Sequence, residues 1–174
     1  MDEALPARSS RDTDYATFVK QAWAKYLRLS WLLTGDRHRA EDLLQESLVK
    51  LYVRWPRVAV RGDPNAYLRR MLVNANVSRW RLGRRERLVD AVPERETPSV
   101  AGAEHEDLRQ ALLSLPDRQR AVVVLRHYGD LSEREVAATL GCSVGTVKSQ
   151  NARAMARLRE YLSDYQIEER VVER

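Results

Sequence analysis

The sequence predicts an all-α fold of two small helical domains that a flexible acidic linker joins. Apolar residues recur at intervals of three and four along most of the chain, and no convincing run of alternating strand residues occurs. Basic, acidic and basic segments follow one another, which indicates two basic blocks separated by a solvated segment. The 174 residues leave room for two such domains.

The composition argues against several classes of protein. Lys and Arg number 30 against 25 Asp and Glu, and the mean hydropathy is −0.54. No apolar run approaches the roughly 20 residues that span a bilayer, no secretory signal is visible, and Cys142 is the only cysteine. We therefore expect a cytoplasmic protein. Common catalytic, nucleotide-binding and zinc-binding signatures are absent from the sequence, so we expect no enzymatic activity, no cofactor and no metal.

The charge segments set the predicted domain boundaries. Residues 61–87 contain eight Arg and two acidic residues, whereas residues 90–107 contain six acidic residues and one Arg. The acidic segment also has a cluster of Pro, Ser and Gly and few large apolar residues, as linkers do. We predict a tail over residues 1–13, a first domain over 14–87, a linker over 88–105, a second domain over 106–165 and a tail over 166–174.

The first amphipathic helix of the first domain begins after Gly35. Asp36 is the expected N-cap, and Pro56 is expected to end the helix. The predicted inward stripe consists of Ala40, Leu43, Leu44, Leu48, Leu51, Tyr52 and Trp55. The opposite side or its edge carries Glu41, Asp42, Gln45 and Glu46. These residues alone allow either a solvated face or an acidic docking patch for a basic partner.

The next helix has the character of a nucleic-acid-binding element. Asp63 and Pro64 are a predicted N-cap and first helical residue, and the helix is expected to run to about Arg81. One face carries Arg70, Asn74, Ser78 and Arg81, with Arg79 beside it; Arg side chains bind phosphates and Asn can pair with a base edge. Tyr67 and Trp80 could stack on bases, although core positions are the commoner role for such aromatic residues.

The strongest local motif is a helix-turn-helix in residues 131–159. Ser132 and Glu135 have capping-box spacing, Gly141 suits a left-handed turn residue, and Ser143 caps the second helix. The predicted outward residues of the second helix are Thr146, Lys148, Ser149, Gln150 and Arg153. They donate hydrogen bonds and none is acidic, which favours major-groove binding over a solvated helical hairpin. Cys142 is expected to be a small buried residue of the turn rather than a redox switch.

Three stretches carry a resemblance to a known family. They are LTGDRHRAEDLLQESLVKLYVRW, DPNAYLRRMLVNANVSRWR and LPDRQRAVVVLRHYGDLSEREVAATLGCSVGTVKSQNARAMARLR. The chain resembles the extracytoplasmic-function sigma factors of bacterial RNA polymerase, and looks most like their short actinobacterial branch, the SigE family. The resemblance implies a factor that binds core polymerase and directs it to promoters.

The resemblance also implies roles for residues and partners. The helix after Gly35 corresponds to region 2.2, which in the family docks on the β′ clamp helices. The residues implied there are Asp36, Glu41, Asp42, Gln45 and Glu46. The next helix and the loop before it correspond to the part that recognises and opens the −10 element. The residues implied there are Arg61, Tyr67, Arg70, Asn74, Ser78, Arg79 and Arg81.

The helix-turn-helix corresponds to region 4, which in the family reads the −35 element. Lys148, Ser149 and Arg153 match the family's DNA-contacting positions, and Thr146 and Gln150 are predicted beside them on the same helix. The implied partners are core polymerase (its β′ clamp helices and β flap), promoter DNA and an anti-sigma factor, with no membrane contact of the chain's own. The free protein is expected to be able to pack its two domains together.

Two other classes of function remain open from the residues. A stand-alone helix-turn-helix regulator explains residues 131–159 but leaves the acidic face and the Arg-rich helix without a role. A metal-dependent nuclease could use Glu41, Asp42 and Glu46, but no converging ligand from another segment is evident.

Overall fold

The computed structural model describes residues 6–86 and 103–172, and this part of the chain contains helices and no strand. The first unit comprises helices α1 (Pro6–Thr34), α2 (Arg37–Arg61) and α3 (Pro64–Glu86). The second comprises α4 (Ala103–Leu113), α5 (Asp117–Val123), a π-helical turn (Val124–Tyr128), α6 (Glu133–Leu140) and α7 (Val144–Val172). The all-α prediction is confirmed.

The first unit is built around α2, which packs against α1 and α3. Its core comprises Tyr26, Leu29 and Leu33 of α1, Leu43, Leu44 and Leu51 of α2, and Leu68 and Leu72 of α3. The predicted start of α3 is confirmed, because the Asn65 amide donates to Oδ1 of Asp63 over 2.8 Å. Tyr26 Oη donates to the same turn, to the Asn65 carbonyl oxygen over 3.0 Å, so α1 is tied to the beginning of α3.

Pro56 does not end α2, so that prediction was wrong. The helix continues through Pro56 to Arg61. Trp55 and Val58 lie on either side of the proline and are buried, so the core holds both segments of the helix in place. Proline has no backbone N–H, so Pro56 cannot donate the helical hydrogen bond to the carbonyl oxygen of Tyr52. That oxygen accepts a hydrogen bond from Arg11 instead.

The predicted tails are shorter in the structure. Helix α1 already begins at Pro6, and α7 extends to Val172. The beginning of α1 is held by Tyr52, whose Oη donates to Oδ1 of Asp12 over 2.6 Å. Tyr52 was predicted to face the core but is 37% exposed, because it covers this part of α1.

The second unit contains one feature that the sequence pattern did not predict. The helix that opens after Pro116 reaches Tyr128, but its last five residues are π-helical. The Gly129 amide donates to the carbonyl oxygen of Val124 over 2.9 Å, five residues back. A Cβ on Gly129 would lie 2.7 Å from the carbonyl oxygen of Leu125, so a side chain at this position would require the turn to shift.

The two units pack against each other and share a continuous apolar core. Arg109 Nη1 of α4 donates to the carbonyl oxygen of Gly35 over 2.9 Å, and the side chain of Leu113 lies against the same residue. Helix α6 packs on α3. Residues 87–102, which include most of the predicted linker 88–105, lie outside the described residues.

Candidate nucleic-acid and partner interfaces

The outward face of α2 combines acidic and apolar side chains. Asp42, Gln45 and Glu46 are exposed, as the sequence predicted. Val49 and Val53 continue the same helical spacing and are 67% and 72% exposed. These two valines were not among the residues predicted for this face, although their positions seven and eleven residues after Asp42 follow the same helical spacing. A mixed acidic and apolar surface of this kind suits a protein partner with a basic, partly apolar face.

Two of the predicted docking residues have local partners. Oδ1 of Asp36 accepts a hydrogen bond of 2.6 Å from the Arg39 amide, so this side chain caps α2 as predicted. Glu41 forms an ion pair with Arg37 over 3.0 Å. Asp36 and Glu41 therefore lie at the N-terminal end of α2, where both side chains contact residues of the same helix.

The predicted DNA-facing row of α3 is largely at the surface. Arg70, Asn74 and Ser78 are exposed. Tyr67 is half-buried against the core, and its Oη accepts a hydrogen bond of 2.9 Å from Arg54 Nη1. The side chains of Arg61, Trp80 and Arg81 lie outside the part that the structure describes.

An ion pair between Glu46 and Arg79 joins α2 to α3. Arg79 Nη2 and Glu46 Oε1 lie 2.5 Å apart, and the side chains are 41% and 54% exposed. Glu46 was predicted on a docking face and Arg79 beside a DNA-facing row, without a contact between them. The ion pair joins residues 33 positions apart, which no local pattern reports.

A cavity of about 650 Å³ lies between α2, α3 and α6. The arginines that line it are Arg54, Arg57, Arg69 and Arg70. Its acidic residues are Asp63, which caps α3, and Glu135. Arg70 Nη2 also donates to the carbonyl oxygen of Ala138 in α6 over 3.3 Å. A basic surface next to the loop before α3 is therefore covered on one side by the helix-turn-helix unit.

The predicted helix-turn-helix is present in α6 and α7. The capping box is complete: the Glu135 amide donates to Ser132 Oγ, and Glu135 Oε2 accepts from the Ser132 amide over 2.8 Å. Hydrogen bonds from Ser132 lower the pKa of Glu135. Gly141 ends α6 in the left-handed region with φ 62°, and Ser143 Oγ accepts from the Thr146 amide to begin α7.

The predicted contact residues of α7 differ in accessibility. Lys148, Ser149 and Arg153 are exposed, whereas Thr146 and Gln150 are half-buried. Thr146 is part of the cap, since its Oγ1 lies 2.9 Å from Ser143 Oγ. Three of the five predicted contact side chains are thus at the surface of α7.

Lys148 and Cys142 of the second unit each have a local environment that bears on the predictions. Lys148 Nζ lies 3.8 Å from Glu133 Oε2, a contact within the helix-turn-helix. Cys142 is half-buried in the turn, not fully buried as predicted.

Metal and membrane sites were sought among the same residues. The described parts of the chain contain no group of three or more His, Cys, Asp or Glu side chains placed to hold a metal ion. No helix within residues 6–86 or 103–172 is long and apolar enough to cross a membrane.

Comparisons with known proteins match the chain in both units. The family model for sigma-70 region 2 matches residues 14–86, and that for sigma-70 region 4 matches residues 105–158. The RNA polymerase sigma-E factor of Streptomyces avermitilis is 39% identical over 168 residues, which is 92% of each chain. The ECF RNA polymerase sigma factor SigE of Mycolicibacterium smegmatis is 35% identical over 161 residues, 86% of this chain and 62% of that protein.

A solved structure has a similar arrangement of both units. The sigma factor RpoE in complex with the anti-sigma factor NepR from Bartonella quintana superposes with a TM-score of 0.72 at 27% identity. The superposition covers 86% of this chain and 97% of the other.

Proposed function

Because the chain belongs to the sigma-70 family of RNA polymerase sigma factors, in its extracytoplasmic-function branch, we propose that three exposed faces divide its work. The α2 face docks on core polymerase, the α3 row engages the −10 element, and α7 reads the −35 element. The observation that carries this division is the segregation of charge. Acidic and apolar side chains lie together on α2, while the exposed contact residues of α3 and α7 include no acid.

The docking face consists of Asp42, Gln45, Glu46, Val49 and Val53. Its charges attract a basic partner, and its two exposed valines provide apolar area that a solvated face does not need. Asp36 and Glu41 contribute indirectly in this proposal, because they stabilise the beginning of the helix that presents the face.

The −10 face consists of Arg70, Asn74 and Ser78, with Arg79 at its side and the arginines of the cavity behind it. Arginine side chains bind phosphate oxygens, and the amide of Asn74 can pair with a base that has left the stack. Arg61 and Arg81 belong to this proposal by their position in the sequence. Tyr67 supports the surface through its contact with Arg54.

The −35 face consists of Lys148, Ser149 and Arg153. All three are on the exposed side of a recognition helix whose first turn is fixed by Ser143 and Thr146. Gln150, which is half-buried, lies at the edge of this face. We place the two domains at residues 14–87 and 106–165, with the acidic linker at 88–105.

The chain contributes binding rather than a catalytic step, in this proposal, and acts in the cytoplasm with the polymerase and the promoter. An anti-sigma factor is a further proposed partner. The support for it is the similarity to a sigma factor solved with its anti-sigma factor, at a TM-score of 0.72. In this proposal the anti-sigma factor binds the arrangement in which the two units pack against each other.

The test is direct binding to core RNA polymerase. Protein labelled at its N-terminus is titrated with core polymerase, without DNA, and fluorescence anisotropy is recorded. We expect saturable binding that a second sigma factor displaces. Absence of binding, under conditions where that second sigma factor binds, would overturn the proposal. It would favour a stand-alone helix-turn-helix regulator whose α2 face is merely solvated.

A further inference from the structure

The ion pair between Glu46 and Arg79 joins two surfaces that the proposed function gives to different ligands. Glu46 belongs to the docking face of α2, and Arg79 lies beside the DNA-facing row of α3. The side chains are 54% and 41% exposed, so an approaching macromolecule can reach either partner. The two atoms are 2.5 Å apart, which is a direct contact between the charged groups.

Each ligand competes with the ion pair for one of its members. A basic group of the polymerase would compete with Arg79 for the Glu46 carboxylate. A phosphate of the promoter would compete with Glu46 for the Arg79 guanidinium. In the free protein the two charges neutralise each other. The docking face therefore has one fewer unpaired negative charge, and the DNA-facing row has one fewer unpaired positive charge beside it.

We infer that polymerase docking on Glu46 releases Arg79, and that the released guanidinium then binds promoter phosphates. Glu46 is in this respect a positioning residue for DNA binding as well as a docking residue. The inference rests on the proposed function, since it requires that the α2 face meets the polymerase. The inference predicts that affinity for DNA rises when the chain joins the polymerase.

The ion pair also implies the reverse effect. Coupling between two binding equilibria is reciprocal, so the occupation of Arg79 by DNA frees Glu46 for the polymerase by the same factor. Exposed ion pairs change an equilibrium by about two- to fivefold. The coupling is therefore modest, and it adds to whatever the polymerase contributes by fixing the positions of the domains.

The first arm of the test measures DNA binding without polymerase. The full-length chain is titrated into fluorescein-labelled single-stranded DNA of mixed sequence, and anisotropy is followed. We expect the Glu46→Gln variant to bind about two- to fivefold more tightly than the unchanged chain, because Arg79 is free. Asp42→Asn is the matched control, since it removes one negative charge from the same face without breaking this ion pair.

The second arm measures polymerase binding without DNA. We expect Arg79→Ala to bind core polymerase about two- to fivefold more tightly, because Glu46 is free. Lys20→Ala, which removes a positive charge from the exposed side of α1, controls for net charge. In a Glu46→Gln background the gain from Arg79→Ala should disappear, which a merely structural role for either residue would not produce.

The two arms separate this inference from the proposed function. If Asp42→Asn and Glu46→Gln increase DNA affinity equally, or if Arg79→Ala leaves polymerase affinity unchanged, the inference is overturned while docking still stands. If Asp42→Asn and Glu46→Gln leave polymerase affinity unchanged, the assignment of the docking face is wrong and the coupling fails with it. Circular dichroism of each variant excludes misfolding as the cause.

Discussion

Leu113 of the second unit packs directly on Gly35 of the first: a Cβ placed on Gly35 would lie 2.3 Å from Cδ2 of Leu113. Gly35 has φ +73°, the left-handed region that favours glycine, and its carbonyl oxygen accepts the hydrogen bond from Arg109. The residue that ends α1 and allows the turn into α2 is therefore also a contact point between the two units.

The first prediction concerns this contact. We expect Gly35→Ala to lower the free energy of unfolding by about 1–3 kcal/mol more than Gly141→Ala does. Both glycines have a positive φ, but a Cβ on Gly141 meets nothing within 4 Å, so the control isolates the collision with Leu113. Urea unfolding measures the difference, and small-angle scattering should show a larger radius of gyration for Gly35→Ala.

The collision can also be relieved from its other side. Adding Leu113→Ala to Gly35→Ala should cost less stability than Leu113→Ala costs in the unchanged chain. Equal costs in the two backgrounds would mean that Leu113 does not oppose a side chain at position 35.

The second prediction concerns the proline inside α2. Arg11 Nη2 donates a hydrogen bond of 2.6 Å to the Tyr52 carbonyl, which Pro56 cannot serve. Arg11→Ala should therefore lower the free energy of unfolding by about 1–2 kcal/mol. In a Pro56→Ala background the loss should be smaller, because the new amide can bond to Tyr52. Urea unfolding of the four proteins gives the comparison, and an unchanged loss would contradict it.

The third prediction concerns alkaline pH. Burial raises the pKa of Tyr26 to about 12 from its ordinary value near 10. The folded protein therefore keeps a proton that the unfolded chain gives up above pH 10, so stability falls between about pH 10 and 12.

Tyr26→Phe provides the check on this assignment. It should lower the free energy of unfolding by about 1 kcal/mol at neutral pH, where the bonds to Asn65 are lost. The variant's stability should then depend less steeply on pH between 10 and 12. Denaturant unfolding at a series of pH values measures both effects. Identical slopes for the two proteins would place the titrating group elsewhere.

The fourth prediction separates docking from DNA reading. Arg153→Ala should weaken DNA binding by about 1–3 kcal/mol and so reduce promoter-dependent transcription. It should leave polymerase binding intact. Asp42→Lys combined with Glu46→Lys should abolish polymerase binding, because the docking face then repels a basic partner. In vitro transcription and the anisotropy assay measure the two functions. If both variants lose the same function equally, the division between α2 and α7 is wrong.

The features that the sequence predicted well are local. The capping box of Ser132 and Glu135, the left-handed Gly141 and the start of α3 at Asp63 each depend on residues within a few positions of each other. Over a few positions the sequence itself determines the backbone conformation and which side chains meet. The exposed positions of Asp42, Asn74 and Arg153 follow from helical periodicity in the same way.

The features that the sequence did not predict depend on distant partners. Pro56 would end an isolated helix, and Arg11, far away in the chain, supplies the missing donor. The π-helical turn depends on the space above Gly129, and the Glu46–Arg79 pair depends on how α2 and α3 cross. Periodicity predicts which face of a helix is exposed, but it does not predict which side chain of another helix contacts that face.

The bond between Arg11 and Tyr52 bears on where the first unit begins. The match to sigma-70 region 2 starts at residue 14, so a fragment cut at that boundary would lack both Arg11 and Asp12. The carbonyl of Tyr52 would then have no guanidinium, at the point where α2 must pass a proline to reach the loop before α3. The segment around Arg11 and Asp12, which a domain boundary drawn from similarity leaves out, therefore supports the end of α2 and the position of α3 after it.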